Sequence, residues 1–401
     1  MALPLSLVNE FEALPRFDSL RDLLATNRPT GQCELIAGSA LPASALHPGS
    51  VGHAAGHPIP EWWKPDPLIA CPAVQLFRVR DAFYAPGFGA VIAPDGALME
   101  HTVLQARVQN PDLAALPYAT REDQQVIFRP PDDVPHLPAG VVSMPWAAIS
   151  NYGHFVCDCL TSLALLSEQP ETAAYPRVFP ALSPWHRRHL ELLGLAPLVL
   201  DHPLYRIADV LFTNGMAQFI NAPNINYRTL REIQLRHKGA AAAVSSRKIY
   251  VSRSRITQAE PRRRRFLSEI VLEERLRTLG FTIVVPELLD VDEQIELFRN
   301  AEMIVACRGA ALANVLYCQR DAIVVEIVAT VAGFEDYQWV RDICAIVGCR
   351  WRPYFCAGVP PESPVILHGR KRPNAAFTFD VDVCALLEFI ERLTPGQPQG
   401  A

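Results

Sequence analysis

Apolar residues recur along this chain in two rhythms, and the clearer one lies between Arg247 and Val328. Lys248-Ile249-Tyr250-Val251 reads as a strand that runs into Ser252-Arg253-Ser254-Arg255. A segment of helical period follows, then a strand in Phe281-Thr282-Ile283-Val284, then a second helical segment. Met303-Ile304-Val305-Ala306 reads as the next strand and runs into Cys307-Arg308-Gly309-Ala310-Ala311. Another helix leads to the strand Val324-Val325-Glu326-Ile327. Strands alternating with helices at this spacing predict a parallel sheet with right-handed crossovers. Ligands of such sheets bind beyond the carboxyl ends of the strands. Both arginine-bearing loops fall there, which points to an anionic, phosphorylated ligand.

The second rhythm lies upstream. Short alternating runs from Val74 to Val108, broken by Pro94-Asp95-Gly96, predict a small antiparallel sheet. A strand–helix pattern starts near Gly140. It predicts a helix over Asn151–Ser167, a strand over Arg177–Ala181, a helix over Pro184–Leu193, two further strands in APLVL and ADVLF, and a helix from Asn226 to His237. Residues 1–65 are weakly periodic and rich in Pro, Ala and Gly. They predict an irregular arm with one helix over Glu10–Thr26. The expected organisation is therefore an arm (1–65), a β-rich segment with a first α/β domain (66–238), a small-residue hinge (239–246), a second α/β domain (247–380), and a terminal helix with a disordered tail (381–401). Two α/β domains joined by a hinge imply a ligand cleft.

Composition refines this. A chain of 401 residues, half of them apolar, accommodates two domains with their own cores. The net charge of −5 gives no reason to expect nucleic acid as a partner. From Arg247 to Arg265, however, eight Lys or Arg stand against one acid, Glu260. Such a local cluster suits a small anion, although the run Arg262–Arg265 also reads as a solvated face. The ten cysteines lack the C-x₂-C pairs of zinc sites. The opening MALPLSLVNEFEALPRF has neither the basic region nor the apolar core of an export leader. No apolar run reaches membrane-spanning length. A cytoplasmic protein with reduced thiols is expected.

Several residues could carry chemistry. In Arg308-Gly309-Ala310-Ala311-Leu312-Ala313-Asn314, small residues at a strand-to-helix turn suit either a diphosphate seat on a helix N-terminus or tight packing. Arg253, at a strand end, can bind phosphate bidentately. Glu326 interrupts an apolar strand and reads as a ribose ligand or as half of a buried salt bridge. His154 and Asp158, four apart in Asn151-Tyr152-Gly153-His154-Phe155-Val156-Cys157-Asp158, share one helix face. A carboxylate that orients an imidazole suits a general base; a structural histidine is the other reading. Asp290-Val291-Asp292 and Asp380-Val381-Asp382 could hold a divalent ion, but both precede helices, where Asp is a favoured cap. No metal site is expected.

The block KIYVSRS, then RRFLSE, then LGFTIVVPELLDVDEQIELFRNAEMIVACRGAALANVLYC, resembles glycosyltransferase family 61, as does NYGHFVCD upstream. The resemblance spans roughly residues 70–330. It implies an α/β, GT-B-like fold of two Rossmann-like domains facing across a cleft, after a small N-terminal β-rich segment. It implies inverting transfer of a sugar from a nucleotide-sugar donor to a hydroxyl of a glycan or lipid-linked glycan acceptor, in bacterial surface polysaccharide biosynthesis such as capsule, without an obligatory metal or other cofactor. Peripheral association with the inner face of the cytoplasmic membrane is compatible with such an acceptor. By position, Asn151, Tyr152, His154 and Asp158 fall on the acceptor side, with His154 or Asp158 as the base. Arg253, Glu269, Arg308, Gly309, Ala310, Asn314 and Glu326 fall on the donor side. The family usually has histidine where this chain has Arg308. Arginine keeps a donor to phosphate but cannot act as a base near neutral pH. That departure supports a non-catalytic partner subunit as one alternative; a nucleotide-sugar epimerase is the other, because the same two-domain fold supports that reaction.

Overall fold

The structure is a computed structural model. It describes residues 2–42, 50–54, 59, 68–103, 113–217, 230–232, 248–255, 264–331, 339–359, 365–367, 370–372 and 377–393. The expected hinge, most of the helix expected over Asn226–His237, Arg262, Arg263 and the tail from residue 394 lie outside the described residues. The chain divides into two compact units, Met1–Ala40 with Ala70–Gly239 and Leu41–Ile69 with Ala240–Ala401.

The first unit is built on one mixed sheet. Its strands are β1 (Thr30–Ile36), β2 (Val74–Ala85), β3 (Ala90–Ile92), β4 (Gly140–Val142), β5 (Arg177–Phe179), β6 (Pro197–Val199) and β7 (Tyr205–Thr213). The order β6-β5-β4-β7 is parallel throughout. β7 then pairs antiparallel with β2, from Tyr205 opposite Tyr84 to Thr213 opposite Leu76. The β-rich segment is thus not a separate sheet. It continues the parallel one, because the faces of β2 and β7 bury Phe77, Val79, Tyr84, Ile207, Val210 and Phe212 in one core.

The N-terminal arm is not irregular either. Ser6–Val8 pairs with Ala97–Met99, Leu3–Pro4 with Phe128 and Ile127, and β1 with β2. The single helix expected over Glu10–Thr26 is two, Glu10–Ala13 and Leu20–Ala25, because Pro15 cannot supply an N–H inside a helix. Buried Arg78 ties this region down. Its Nε and Nη2 donate to the two oxygens of Asp209 at 2.8 and 2.6 Å, and its Nη1 donates to the carbonyls of Leu23, Leu24 and Thr26.

The second unit is a parallel sheet of β8 (Lys248–Val251), β9 (Thr282–Val284), β10 (Met303–Cys307), β11 (Ile323–Thr330) and β12 (Arg350–Val359). The order β9-β8-β10-β11-β12 is doubly wound and reverses between β8 and β10. Ligands of such sheets bind at that reversal, beyond the carboxyl ends. The loops carrying Arg253 and Arg308 leave these two strands. Gly52–His53 adds to the far edge, against Tyr354 and Phe355. Arg265–Phe266 and Thr378–Phe379 pair with each other, and Thr378–Phe379 also pairs with the end of β12. The sheet therefore extends past its carboxyl edge into a short flap.

Candidate functional site

In the first unit, α1 follows β4. It comprises Tyr152–His154, a π-helical stretch Phe155–Leu160, and Thr161–Ser167. Asn151 caps it: its Oδ1 accepts from the His154 N–H at 3.3 Å. π-turns inside helices often accompany functional positions. His154 Nδ1 lies 2.9 Å from Asp158 Oδ2. The His154 side chain is 13% exposed and Asp158 is fully buried. Of the two, only His154 keeps exposed side-chain surface. By taking the Nδ1–H, Asp158 fixes the tautomer in which Nε2 accepts a proton.

Tyr152 and Asn151 do local work here. Tyr152 packs 5.5 Å from the ring centroids of Trp185 and His189, and its hydroxyl lies 3.2 Å from His189 Nε2. Trp185 and His189 belong to α2 (Pro184–Leu192).

The second unit contains a pocket lined by Arg253, Arg264, Phe266, Glu269, Cys307, Arg308, Ile327, Ala329, Phe377 and Phe379. Three arginines converge on it. Arg253 Nη1 donates to the Arg308 carbonyl at 3.0 Å, and Arg264 Nη1 donates to the same carbonyl at 3.4 Å. The Arg308 guanidinium donates through Nε to Glu326 Oε1 at 2.7 Å. Burial, then the charges of Arg253 and Arg308, depress the Arg264 pKa. An arginine in a protein does not release its proton, so an anion bound there would offset the repulsion. The opposite wall is aromatic: Phe266 stacks on Phe379 at 5.1 Å, and Arg264 lies 5.7 Å over Phe377.

Local chemistry shapes the arginine loop. Ser252 Oγ donates to Glu273 Oε1 at 2.6 Å and accepts from the Ser254 N–H at 3.1 Å. Glu269, the first residue of α3 (Glu269–Thr278), accepts from the Arg253 N–H at 2.7 Å and from the Tyr250 hydroxyl at 3.0 Å. Burial raises the Glu269 pKa, and those two donors oppose the rise. Glu269 therefore lines the pocket as a clamp on the Arg253 loop.

Other expected ligands take supporting places. Gly309 does not open the backbone to a ligand. A Cβ there would fall 2.8 Å from Arg253 Nη1, so the glycine makes room for that guanidinium. Ala310 begins a 3₁₀ helix, Ala310–Tyr317, rather than an α-helix. Neither Gly309 nor Ala310 lines the pocket. Asn314 is fully buried and donates to Gln294 Oε1 at 2.9 Å, which ties that helix to α4 (Val291–Asn300). Glu326 is fully buried too, with its second oxygen accepting from Trp351 Nε1 at 2.7 Å. It is the buried salt bridge, and its burial leaves no room for a ribose contact.

The Asp pairs are caps. Asp290 accepts from the Glu293 N–H at the start of α4. α5 (Trp339–Val347) follows β11, and Asp382 accepts from the Ala385 N–H at the start of α6 (Val383–Leu393). Among the described residues no three His, Cys, Asp or Glu side chains converge as a metal site. Nor, among them, is any helix long and apolar enough to cross a membrane.

Sequence reading placed Arg264 only within the basic run Arg262–Arg265 and missed Phe266, Phe377 and Phe379. The alternation Arg264-Arg265-Phe266-Leu267 carried a signal for the first two: positions 264 and 266 enter the pocket while 265 and 267 are exposed. Phe377 and Phe379 come from more than a hundred residues downstream, and no spacing connects them to the arginines.

Residues 152–325 match the family model described as Glycosyltransferase 61. The match begins with α1 and ends inside β11, so it contains His154, Asp158, Arg253, Arg264 and Arg308. No curated protein matches the chain.

Proposed function

We propose that this chain, of glycosyltransferase family 61, transfers a sugar from a nucleotide-sugar donor to a hydroxyl of a glycan acceptor with inversion at the anomeric carbon. The observation that carries this reading is the convergence of Arg253, Arg264 and Arg308 on one pocket with an aromatic wall. Fixed guanidiniums beside aromatic rings suit a nucleoside diphosphate: the arginines take the phosphates, and the rings offer a face to a planar base.

The second unit holds the donor, and the first supplies His154. In the reaction the acceptor oxygen attacks the anomeric carbon while its proton passes to His154 Nε2. The bond from the anomeric carbon to the phosphate oxygen breaks, and the nucleoside diphosphate leaves with the electron pair. Asp158 stabilises the imidazolium. Arg253, Arg264 and Arg308 stabilise charge that grows on the leaving group in the transition state, which makes a divalent ion dispensable. The acceptor is a bacterial surface glycan or its lipid-linked precursor, met by a cytoplasmic enzyme at the membrane face.

The test is nucleotide release from UDP-, GDP-, dTDP-, CMP- and ADP-sugars, with and without bacterial glycan acceptors and with EDTA present. One donor should be consumed, and consumption should accelerate with an acceptor. His154→Ala should keep donor binding while transfer falls by about 10²- to 10⁴-fold. No consumption of any donor would reject the reading. Near-wild-type transfer by the variant would discard His154 as base.

A further inference from the structure

We infer that Glu326 and Trp351 are positioning residues that hold Arg308 by its Nε alone, so that both terminal amino groups of its guanidinium are presented to the phosphates of the ligand. The inference rests on the donor-site reading above.

Arginine and a carboxylate ordinarily pair through two parallel hydrogen bonds. This protein shows that form elsewhere. Arg78 grips both oxygens of Asp209, and its remaining nitrogen is consumed by three main-chain carbonyls. That arginine is structural: protein acceptors engage all three of its nitrogens. Arg308 differs. It donates to Glu326 Oε1 only, through Nε, at 2.7 Å. The second grip is blocked, because Trp351 Nε1 already donates to Glu326 Oε2 at 2.7 Å. Among the described residues, no acceptor takes the Nη groups of Arg308. Its side chain keeps 9% exposure and it lines the pocket, whereas Glu326 and Trp351 are 0% and 1% exposed.

Glu326 and Trp351 sit on neighbouring strands, and Arg308 directly follows the strand on the other side of Glu326. Arg308 follows β10, Glu326 is in β11, and Trp351 is in β12. The relay thus runs sideways through the sheet, from a buried indole to the pocket. The chemistry explains why the buried partner is tryptophan. Indole is a donor with no acceptor and stays uncharged, so it can occupy one carboxylate oxygen without cancelling the charge that holds Arg308. Four guanidinium N–H groups remain on Nη1 and Nη2. Their planar fork matches two oxygens of one phosphate.

The test compares wild type, Trp351→Phe, Glu326→Gln and the double variant by calorimetric titration with UDP and with inorganic pyrophosphate, alongside melting temperatures. In Trp351→Phe the freed oxygen can swing onto an Nη group and draw it from the pocket. Affinity for both probes should fall about tenfold, the cost of one charge-assisted hydrogen bond. Adding Glu326→Gln should then recover most of that loss. The carboxamide oxygen still accepts from Nε, and no second carboxylate oxygen remains to capture an Nη group. A purely structural pair would behave in the opposite way, with the double variant weaker than either single one. Wild-type affinity in Trp351→Phe, or no recovery in a folded double variant, overturns the inference. Failure of wild type to bind either probe overturns the donor-site reading and this inference with it. Should Glu326→Gln not fold by itself, Trp351→Phe and the double variant decide the matter.

Discussion

Arg264→Met should separate what the arginine cluster costs from what it does. Arg253 and Arg264 donate to one carbonyl at 3.0 and 3.4 Å, so their Nη1 atoms lie within about 6.4 Å of each other. Two unit charges at that separation repel by about 2–3 kcal/mol in an effective dielectric of about 20. Removing Arg264 relieves this. It also forfeits a long hydrogen bond of about 1 kcal/mol and a cation–π contact with Phe377 of about 0.5–1 kcal/mol. Methionine fills similar space against the rings. The balance lies between about 0 and +1.5 kcal/mol for the empty protein. For a domain of this size that is an unchanged melting temperature or a rise of up to about 6 °C. Nucleotide affinity should move the other way. Loss of one charged donor to phosphate costs about 1.5–3 kcal/mol, or about 10- to 150-fold in Kd. The assay is a melting curve without ligand, paired with a calorimetric titration of the bound nucleotide. A variant that melts several degrees lower while binding nucleotide as tightly as wild type would refute this account of the cluster.

Further consequences concern the backbone and pH. Gly309→Ala should weaken nucleotide binding several-fold by displacing Arg253, with little change in melting temperature, because φ is −174° there and suits any residue. A large loss of stability with intact binding would contradict this. His186 is buried with Nδ1 accepting from the Ser183 N–H at 3.0 Å and Nε2 beside the Ala148 carbonyl at 3.2 Å. Burial pushes its pKa down from 6.5 to about 4. The unfolded chain therefore takes up this proton first, and stability should be lost as pH falls from about 6.5 to about 4, by up to about 3 kcal/mol. Denaturant titrations across that window should show a shallower pH slope in His186→Gln, and an identical slope would remove His186 as the cause.

The strand–helix alternation of residues 247–328 was legible because its central strands β8, β10 and β11 are short, largely buried runs dominated by apolar residues. Arg253 and Arg308 were legible for the same reason: they stand within two residues of the ends of such runs. His154 and Asp158 were legible from helical spacing. What was not legible came from long-range pairing. The arm of residues 1–42 looked irregular because its strands are short and rely on partners such as Val74–Ala85 and Gln125–Phe128 for their burial. Glu326 looked like a ligand because a strand acid has no intrinsic partner in sequence. Its partners are Arg308, just past the end of one neighbouring strand, and Trp351, on the other. Phe377 and Phe379 enter the pocket only through the flap that closes onto Arg265–Phe266.

The most direct measurement is a calorimetric titration of the purified protein with UDP, GDP, dTDP, CMP and ADP, in EDTA and then with a divalent ion. Wild type and Arg253→Ala are compared. The donor-site account predicts selective binding of one nucleotide that persists in EDTA and disappears in Arg253→Ala. Binding that survives the loss of Arg253, or no binding of any nucleotide by wild type, would contradict it.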